Sequence, residues 1–264
     1  MSGAAPAGPE ALLGVAVEAA REAGGLLAER FARGREHDVG SKSTPTDLVS
    51  EADLASQRAI RERLSRLRPE DGFLGEEGGD EPGTSGLRWV VDPLDGTVNF
   101  VLRIPQWCVT IAVADEAGPV AGAVYDPTRD ELFTAWRGGG PPRLNGEQVA
   151  AAEPTELAMT MVATGFGYDA RMRAAQADVL LGLIARVRDI RRFGSAALDL
   201  AWTAAGRYGA YYERGVKPWD IAAGTLLCEA AGLRVAELTE RPDLPWGIVV
   251  AREGVLEELL PIVG

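Results

Sequence analysis

The hydrophobic period of the chain changes near Trp89, and that change limits the folds open to it. Before Trp89 the apolar residues recur at helical spacing. Leu13, Val17, Ala20, Leu27 and Phe31 share one stripe with charges opposite, which predicts a surface helix from Glu10 to about Arg33 that stops at Gly34. A polar loop, GSKSTPTDL, follows. Ala52, Ala59, Ile60, Leu64 and Leu67 then predict a second helix from about Ser50 to Leu67, with Ser50 and Asp53 set like a capping box with a shorter acid. From Trp89 the runs WVVD, CVTIAVAD, VAGAVYD and ELFTAW read as strands, the last two as an antiparallel meander. Asn145-Gly146 reads as a hairpin turn. Beyond about Pro154 the types alternate. MVATGF, DIRRF, AYYE, LRVAEL and WGIVVA are predicted strands; Met172–Val187, Ser195–Ala205, Ile221–Ala231 and Gly254–Leu260 are predicted helices. The order predicts an α+β half over residues 1–153 packed tightly on an α/β half over 154–264.

The 264 residues are 46% hydrophobic and 25% charged, which excludes disordered and fibrous architectures. With 27 basic and 39 acidic residues the net charge is −12. Such a surface repels phosphate backbones, so direct binding of nucleic acid is not expected. Handling an anionic substrate then calls for a local positive charge, and a bound metal is one source. The apolar N-terminal stretch is cut by Glu18, Arg21 and Glu22, so it reads as an amphipathic helix rather than a signal peptide. No apolar run reaches transmembrane length, and the expectation is a cytoplasmic protein without a membrane partner.

His37 is the one histidine, and it lies in a polar stretch without a nucleophile motif elsewhere. The two cysteines, Cys108 and Cys228, form no CxxC pair and are expected to be buried free thiols. The chemistry therefore falls to carboxylates, hydroxyls, or a hard cation such as magnesium held by carboxylates.

Acidic residues cluster at strand ends and helix starts. WVV ends in Asp92, Pro93 is expected to stop the ladder, and Asp95 returns three residues later. Two carboxylates there can face one point, with Gly96 and Thr97 presenting backbone N–H groups and the Thr97 hydroxyl beside them. Alone, DPLDGT is equally a surface turn. Phe73-Leu74 places Glu76 of LGEEGG at the end of a short buried strand, and PWDIAAG places Asp220 at a helix start. Taken singly these acids, with Asp47 and Asp53, have plain readings as loop, turn and cap residues.

Jointly, KSTPTDLVSEAD, LGEEGG, WVVDPLDGTVNF, GSAALDLAWTAAGR and AYYERGVKPWDIAAG closely resemble, in order, the inositol monophosphatase family of magnesium-dependent phosphatases, its bacterial branch above all. The departures, Leu48, Leu94 and Ser50, are conservative. The resemblance implies a layered αβαβα sugar-phosphatase fold, a homodimer, lithium sensitivity and two or three Mg²⁺ ions. It implies that Glu76, Asp92, the Leu94 carbonyl, Asp95 and Asp220 hold the metals. Asp47, Thr97 and Glu76 are the implied catalytic residues, Thr97 being paired with Asp47 on the attacking water. Gly96 and Thr97 amides would hold the phosphate, Ser195, Ala196 and Glu213 would line the ring-hydroxyl side, and Asp95 would also bind substrate. Lys42 would sit near the metals, and Asp53 would order the loop rather than bind metal. The implied substrate is inositol monophosphate, a small phosphate ester. Fructose bisphosphate, histidinol phosphate or a regulatory role beside the transcription machinery are the alternatives.

Overall fold

In the computed structural model of the protein, residues 8–34, 39–42, 48–153 and 156–264 are described; His37 and Asp47 lie outside them. Helix α1 (Pro9–Arg33) leads to a two-stranded ribbon of β1 (Val39–Ser41) and β2 (Leu48–Ser50), and then to α2 (Glu51–Leu67). The strands β3 (Gly72–Gly75), β4 (Asp80–Glu81) and β5 (Arg88–Asp95) precede a five-residue helix α3 (Thr97–Val101). A meander follows: β6 (Cys108–Asp115), β7 (Gly118–Asp126), β8 (Glu131–Trp136), β9 (Arg143–Leu144) and β10 (Glu147–Gln148). The remainder runs β11 (Met161–Thr164), α4 (Ala170–Leu183), β12 (Asp189–Arg191), α5 (Ala196–Ala204), β13 (Ala210–Arg214), α6 (Pro218–Ala230), β14 (Arg234–Leu238), β15 (Gly247–Ala251) and α7 (Glu253–Val263).

Strands β3 to β10 make one eight-stranded sheet in the order β10-β9-β8-β7-β6-β5-β3-β4, antiparallel except for the β3/β5 pair. Strands β11 to β15 make a five-stranded sheet in the order β12-β11-β13-β15-β14. Here β11 pairs in parallel with both β12 and β13, and β15 is antiparallel to its neighbours.

Side-chain alternation sorts the strands into three cores. Trp89 and Val91 of β5, with Val109, Ile111 and Val113 of β6, face α1 and α2. Val90, Cys108 and Ala112 face the other way, onto α5 and α6. On the second sheet Tyr211, Ile248 and Val250 face the same two helices, while Tyr212, Val249 and Ala251 face α7. The layers are therefore αβαβα, with α5 and α6 between the sheets. That central position explains why AALDLAWTA reads as apolar all round: every residue of α5 is buried.

Four departures from the sequence expectations have local causes. Pro93 does not end the ladder. β5 continues to Asp95, with Asp92 opposite Thr110 and Asp95 opposite Cys108, so three steps on β5 match two on β6. The slack is a bulge, where proline's missing N–H costs no ladder bond. Helix α6 begins at Pro218 rather than Ile221, because proline's fixed φ suits the first helical position. Helix α4 begins at Ala170, where Asp169 caps it by accepting from the amides of Arg171 and Met172 at 2.8 and 3.1 Å, and it ends at Leu183. Leu67, expected in the α2 stripe, is exposed at the helix end. The Asn145-Gly146 turn forms with both residues at positive φ, 50° and 89°, as a tight hairpin requires.

Helix α6 lies very close to the first sheet. A Cβ on Gly122 of β7 would stand 2.9 Å from Ala223 Cα, backbone that cannot give way. Gly122→Val is expected to lose about 1–3 kcal/mol of stability, the usual cost of overpacking. Urea unfolding checks it, and an unchanged midpoint would mean that the layer has slack.

Candidate active site

Helix α2 does more than bury an apolar stripe. Asp53, Ser56 and Gln57, spaced i, i+3 and i+4, turn three polar side chains inward. Asp53 closes the α2 capping box by accepting from Ser50 N at 2.8 Å and Ser50 Oγ at 2.7 Å. Its other oxygen accepts from Thr97 Oγ1 at 2.7 Å. Ser56 Oγ donates to the Pro93 carbonyl at 2.8 Å, which fastens the bulge of β5. Gln57 accepts from Glu77 N and donates to the Gly78 carbonyl, both at 2.9 Å, so the GEEGG loop hangs from the same helix. Glu76 N in turn donates to Val91 O at 3.1 Å, which sets Glu76 beside Asp92.

The second half supplies the facing groups. Ser195 caps α5, and the α5 start reaches across to the first sheet: Ser195 Oγ and Ala197 N both donate to Asp95 Oδ2 at 2.7 Å. Asp220, third residue of α6, accepts from Lys217 N at 2.6 Å. Glu213 ends β13. Tyr211 Oη donates to it at 3.0 Å, and Gly165 leaves room for its carboxylate, which would lie 2.1 Å from a Cβ there.

A cavity of about 400 Å³ results, and Lys42, Glu76, Asp92, Leu94, Asp95, Gly96, Thr97, Ala196, Glu213 and Asp220 all line it. Ser195 stands apart from these. It is 1% exposed, and its hydroxyl is spent on Asp95 behind the wall. Among the described residues the Thr97 hydroxyl donates to Asp53 and to the Leu94 carbonyl, the latter at 3.1 Å; Asp47, its expected partner, is outside them. Both cysteines are free and buried.

The electrostatics are those of crowded acids. Burial first, then Glu76, Asp95 and Asp220, hold the Asp92 carboxyl well above the ordinary carboxylate range. Burial likewise pushes Asp220 up, with Glu76 and Asp95 adding to it. Asp95 rises to about 6, burial outweighing the hydrogen bonds from Ser195 and Ala197. Lys42 bridges Glu76 at 2.8 Å and Glu77 at 2.5 Å. Burial works against its ammonium, yet the two carboxylates hold its pKa above the usual lysine value. No three of these acids converge as a ready ligand set among the described residues. One of them, Glu76, is instead paired with Lys42. The donors are nonetheless all oxygen, acid outnumbers base, and a hard divalent cation suits them.

Several residues of this site carried no motif. Arg192, Phe166 and Met172 also line the cavity, as does Trp219 from within the PWDIAAG motif. The inward polar face of α2 was the readable signal that went unused, since Ser56 and Gln57 sit among the apolar positions of an amphipathic helix.

An αβαβα sandwich with an acid-lined cavity at the N-terminal ends of the helices between its sheets defines a class, and the comparisons agree with it. The chain matches the inositol monophosphatase family over residues 9–262. It is 44% identical over 260 residues to "Inositol-1-monophosphatase SuhB" of Mycobacterium tuberculosis (strain ATCC 25618 / H37Rv), covering 93% of this chain and 89% of that one. It is 40% identical over 230 residues to "Nus factor SuhB" of Escherichia coli (strain K12), covering 86% and 85%. The crystal structure of the extragenic suppressor protein suhB from Bartonella henselae superposes with a TM-score of 0.87 at 35% identity, over 96% of this chain and 98% of the other. The chain belongs to the inositol monophosphatase family, whose members are phosphatases of small phosphate esters and generally depend on metal. No helix among the described residues is long and apolar enough to cross a membrane.

Glu213 yields a test of the site without substrate. Burial raises its pKa from 4.5 to about 7, against the opposing Tyr211 hydroxyl and Arg192 charge. The folded state thus holds this proton more tightly than the unfolded chain. The stability it contributes is full at low pH and is lost as pH rises from about 4.5 to about 7. In EDTA, Glu213→Gln should therefore gain melting temperature relative to the parent across that window and level off above it. A difference independent of pH would show that Glu213 titrates normally.

Proposed function

We propose that this chain is a Mg²⁺-dependent phosphomonoesterase that hydrolyses myo-inositol monophosphate to inositol and phosphate. The observation that carries the reading is the meeting of Glu76, Asp92, Asp95 and Asp220 in one cavity, with Glu213 at its far wall. Family membership and the name of the mycobacterial relative support it.

Glu76, Asp92, Asp95, Asp220 and the Leu94 carbonyl would hold the ions. Bound Mg²⁺ would offset the charge of the ester dianion, make water a better nucleophile at neutral pH and stabilise the leaving alkoxide. The chain's own groups do the rest. Gly96 adopts φ 97°, and a Cβ there would meet the Gln106 carbonyl at 2.8 Å, so glycine lets the chain turn tightly into α3. That turn sets the Gly96 and Thr97 amides to donate to phosphate oxygens. Thr97 Oγ1, its proton directed to a carboxylate, accepts from the attacking water and fixes its approach. Asp47 is proposed to share that role, as is Glu76. Glu213, Ala196 and Asp95 would face the ring hydroxyls, with Ser195 holding Asp95 in place. Cytoplasmic location, a homodimer and lithium inhibition belong to the same proposal.

The test is phosphate release across inositol monophosphate, fructose bisphosphate, histidinol phosphate and adenosine phosphates, with Mg²⁺ and with EDTA. Inositol monophosphate should be the best substrate, and EDTA should abolish turnover. Asp92→Asn should lose at least about a thousandfold, the scale of a major electrostatic contribution; near-parental turnover at saturating Mg²⁺ would sink the assignment. Glu213→Gln should cost about 1.5–3 kcal/mol in kcat/KM on inositol monophosphate, the range for a hydrogen bond to a charged group. The same variant should leave p-nitrophenyl phosphate, which has no ring hydroxyls, nearly unchanged, and equal losses on both would remove Glu213 from the polyol wall. The "Nus factor" relative carries a second reading, a regulatory partner of transcription. A purely regulatory protein would release no phosphate from any member of the panel.

A further inference from the structure

Asn99 stands two residues past the DGT turn and has no role in the chemistry above. It is 8% exposed, and its amide nitrogen makes an unusual set of contacts. Nδ2 donates to the Gln106 carbonyl at 2.8 Å, to the Phe193 carbonyl at 2.8 Å, and more weakly to the Gly194 carbonyl at 3.4 Å. Three acceptors around one nitrogen leave no doubt which end of the amide is the donor. Two of these carbonyls lie more than ninety residues away in sequence and immediately before Ser195.

The consequence follows along the chain. Asn99 belongs to α3, whose start is the DGT turn. Phe193 and Gly194 lead directly into Ser195 and Ala197, the two donors to Asp95 Oδ2. Gly194 has φ 82°, and Asn99 Nδ2 would stand 3.4 Å from a Cβ there, so this crossing is both tight and left-handed. A single side chain therefore fixes the entry of α5 relative to the loop that carries Asp95.

We propose that Asn99 is a positioning residue for the polyol side of the cavity: by holding the Phe193 and Gly194 carbonyls it sets where the α5 N-terminus grips Asp95, and so where Ala196 stands. A buried amide that merely stabilised the turn would need only the local Gln106 bond. The two distant carbonyls link the halves.

The proposal rests on the phosphatase reading for its kinetic arm alone. Asn99→Ala removes the donor, and Asn99→Asp keeps the volume while turning an acceptor toward the carbonyls. Both should lower kcat/KM for inositol monophosphate at least about tenfold more than for p-nitrophenyl phosphate. Combined with Ser195→Ala, the losses should be strongly sub-additive, because both residues place the α5 N-terminus and with it Ala196. Leu259→Ala, on α7 in the distant core, serves as the control of comparable melting-temperature loss and should shift the substrate ratio by less than twofold. Amide hydrogen exchange at 195–197 in metal-free protein should speed up at least about tenfold in the Asn99 variants and stay unchanged in the control. Additive losses, an equal fall on both substrates, or unchanged exchange at 195–197 would each overturn the proposal. If the parent protein hydrolyses no phosphate ester, the functional reading fails while the exchange arm still decides on Asn99.

Discussion

Asp95 is the point at which the first sheet of this protein is joined to the helix layer between the sheets. One carboxylate oxygen accepts from both the Ser195 hydroxyl and the Ala197 amide, which places a negative charge on the positive end of α5. Charge-assisted hydrogen bonds of this kind are about twice as strong as neutral ones. The arrangement also determines the cavity. Asp95 ends β5 of the first sheet, α5 lies between the sheets, and whatever fixes one fixes the other. On the proposed function the same carboxylate would also face a cation, so one group would hold the structure together and supply charge for chemistry.

That joint has a counterpart on the opposite side of the cavity. Asp53, Ser56 and Gln57 of α2 hold Thr97, the β5 bulge and the GEEGG loop from behind. Each bond is buried or partly buried, where a missing partner would cost more than the bond itself contributes. The acidic residues can thus be crowded together because their backbones are fastened from two helices. The crowding shows as raised carboxyl pKa values and as the pairing of Lys42 with Glu76 and Glu77. A hard cation would relieve both.

Small residues make the central layer thin enough for this geometry. Gly122 meets Ala223, and a Cβ on Gly224 would lie 2.6 Å from Leu200. Helices α5 and α6 can therefore pack against each other and against both sheets at once. Their N-terminal ends then arrive at the same opening, bringing Ala196 and Asp220 to one cavity.

Much of this was legible in the sequence, because local physics wrote it there. The helical stripe of α1, the Ser50–Asp53 box and the Asn145-Gly146 turn each depend on neighbours within a few residues, and each formed as read. The acidic motifs also announced themselves, since carboxylates beside glycine and proline at strand ends are rare outside turns and sites. Other features depend on contacts the chain makes only after folding. The β5 bulge exists because β6 presents two residues where β5 presents three. Ser195 reads as a pocket residue, yet the fold spends its hydroxyl on a carboxylate one hundred residues away. Gln57 and Asn99 look like ordinary polar positions on helices until the loops they hold are set beside them. Sequence alone determined which groups could do chemistry and which segments could carry them. Tertiary structure decided which of those groups meet, because hydrogen-bond partners and burial are properties of distance in space, and nothing in a local pattern specifies them.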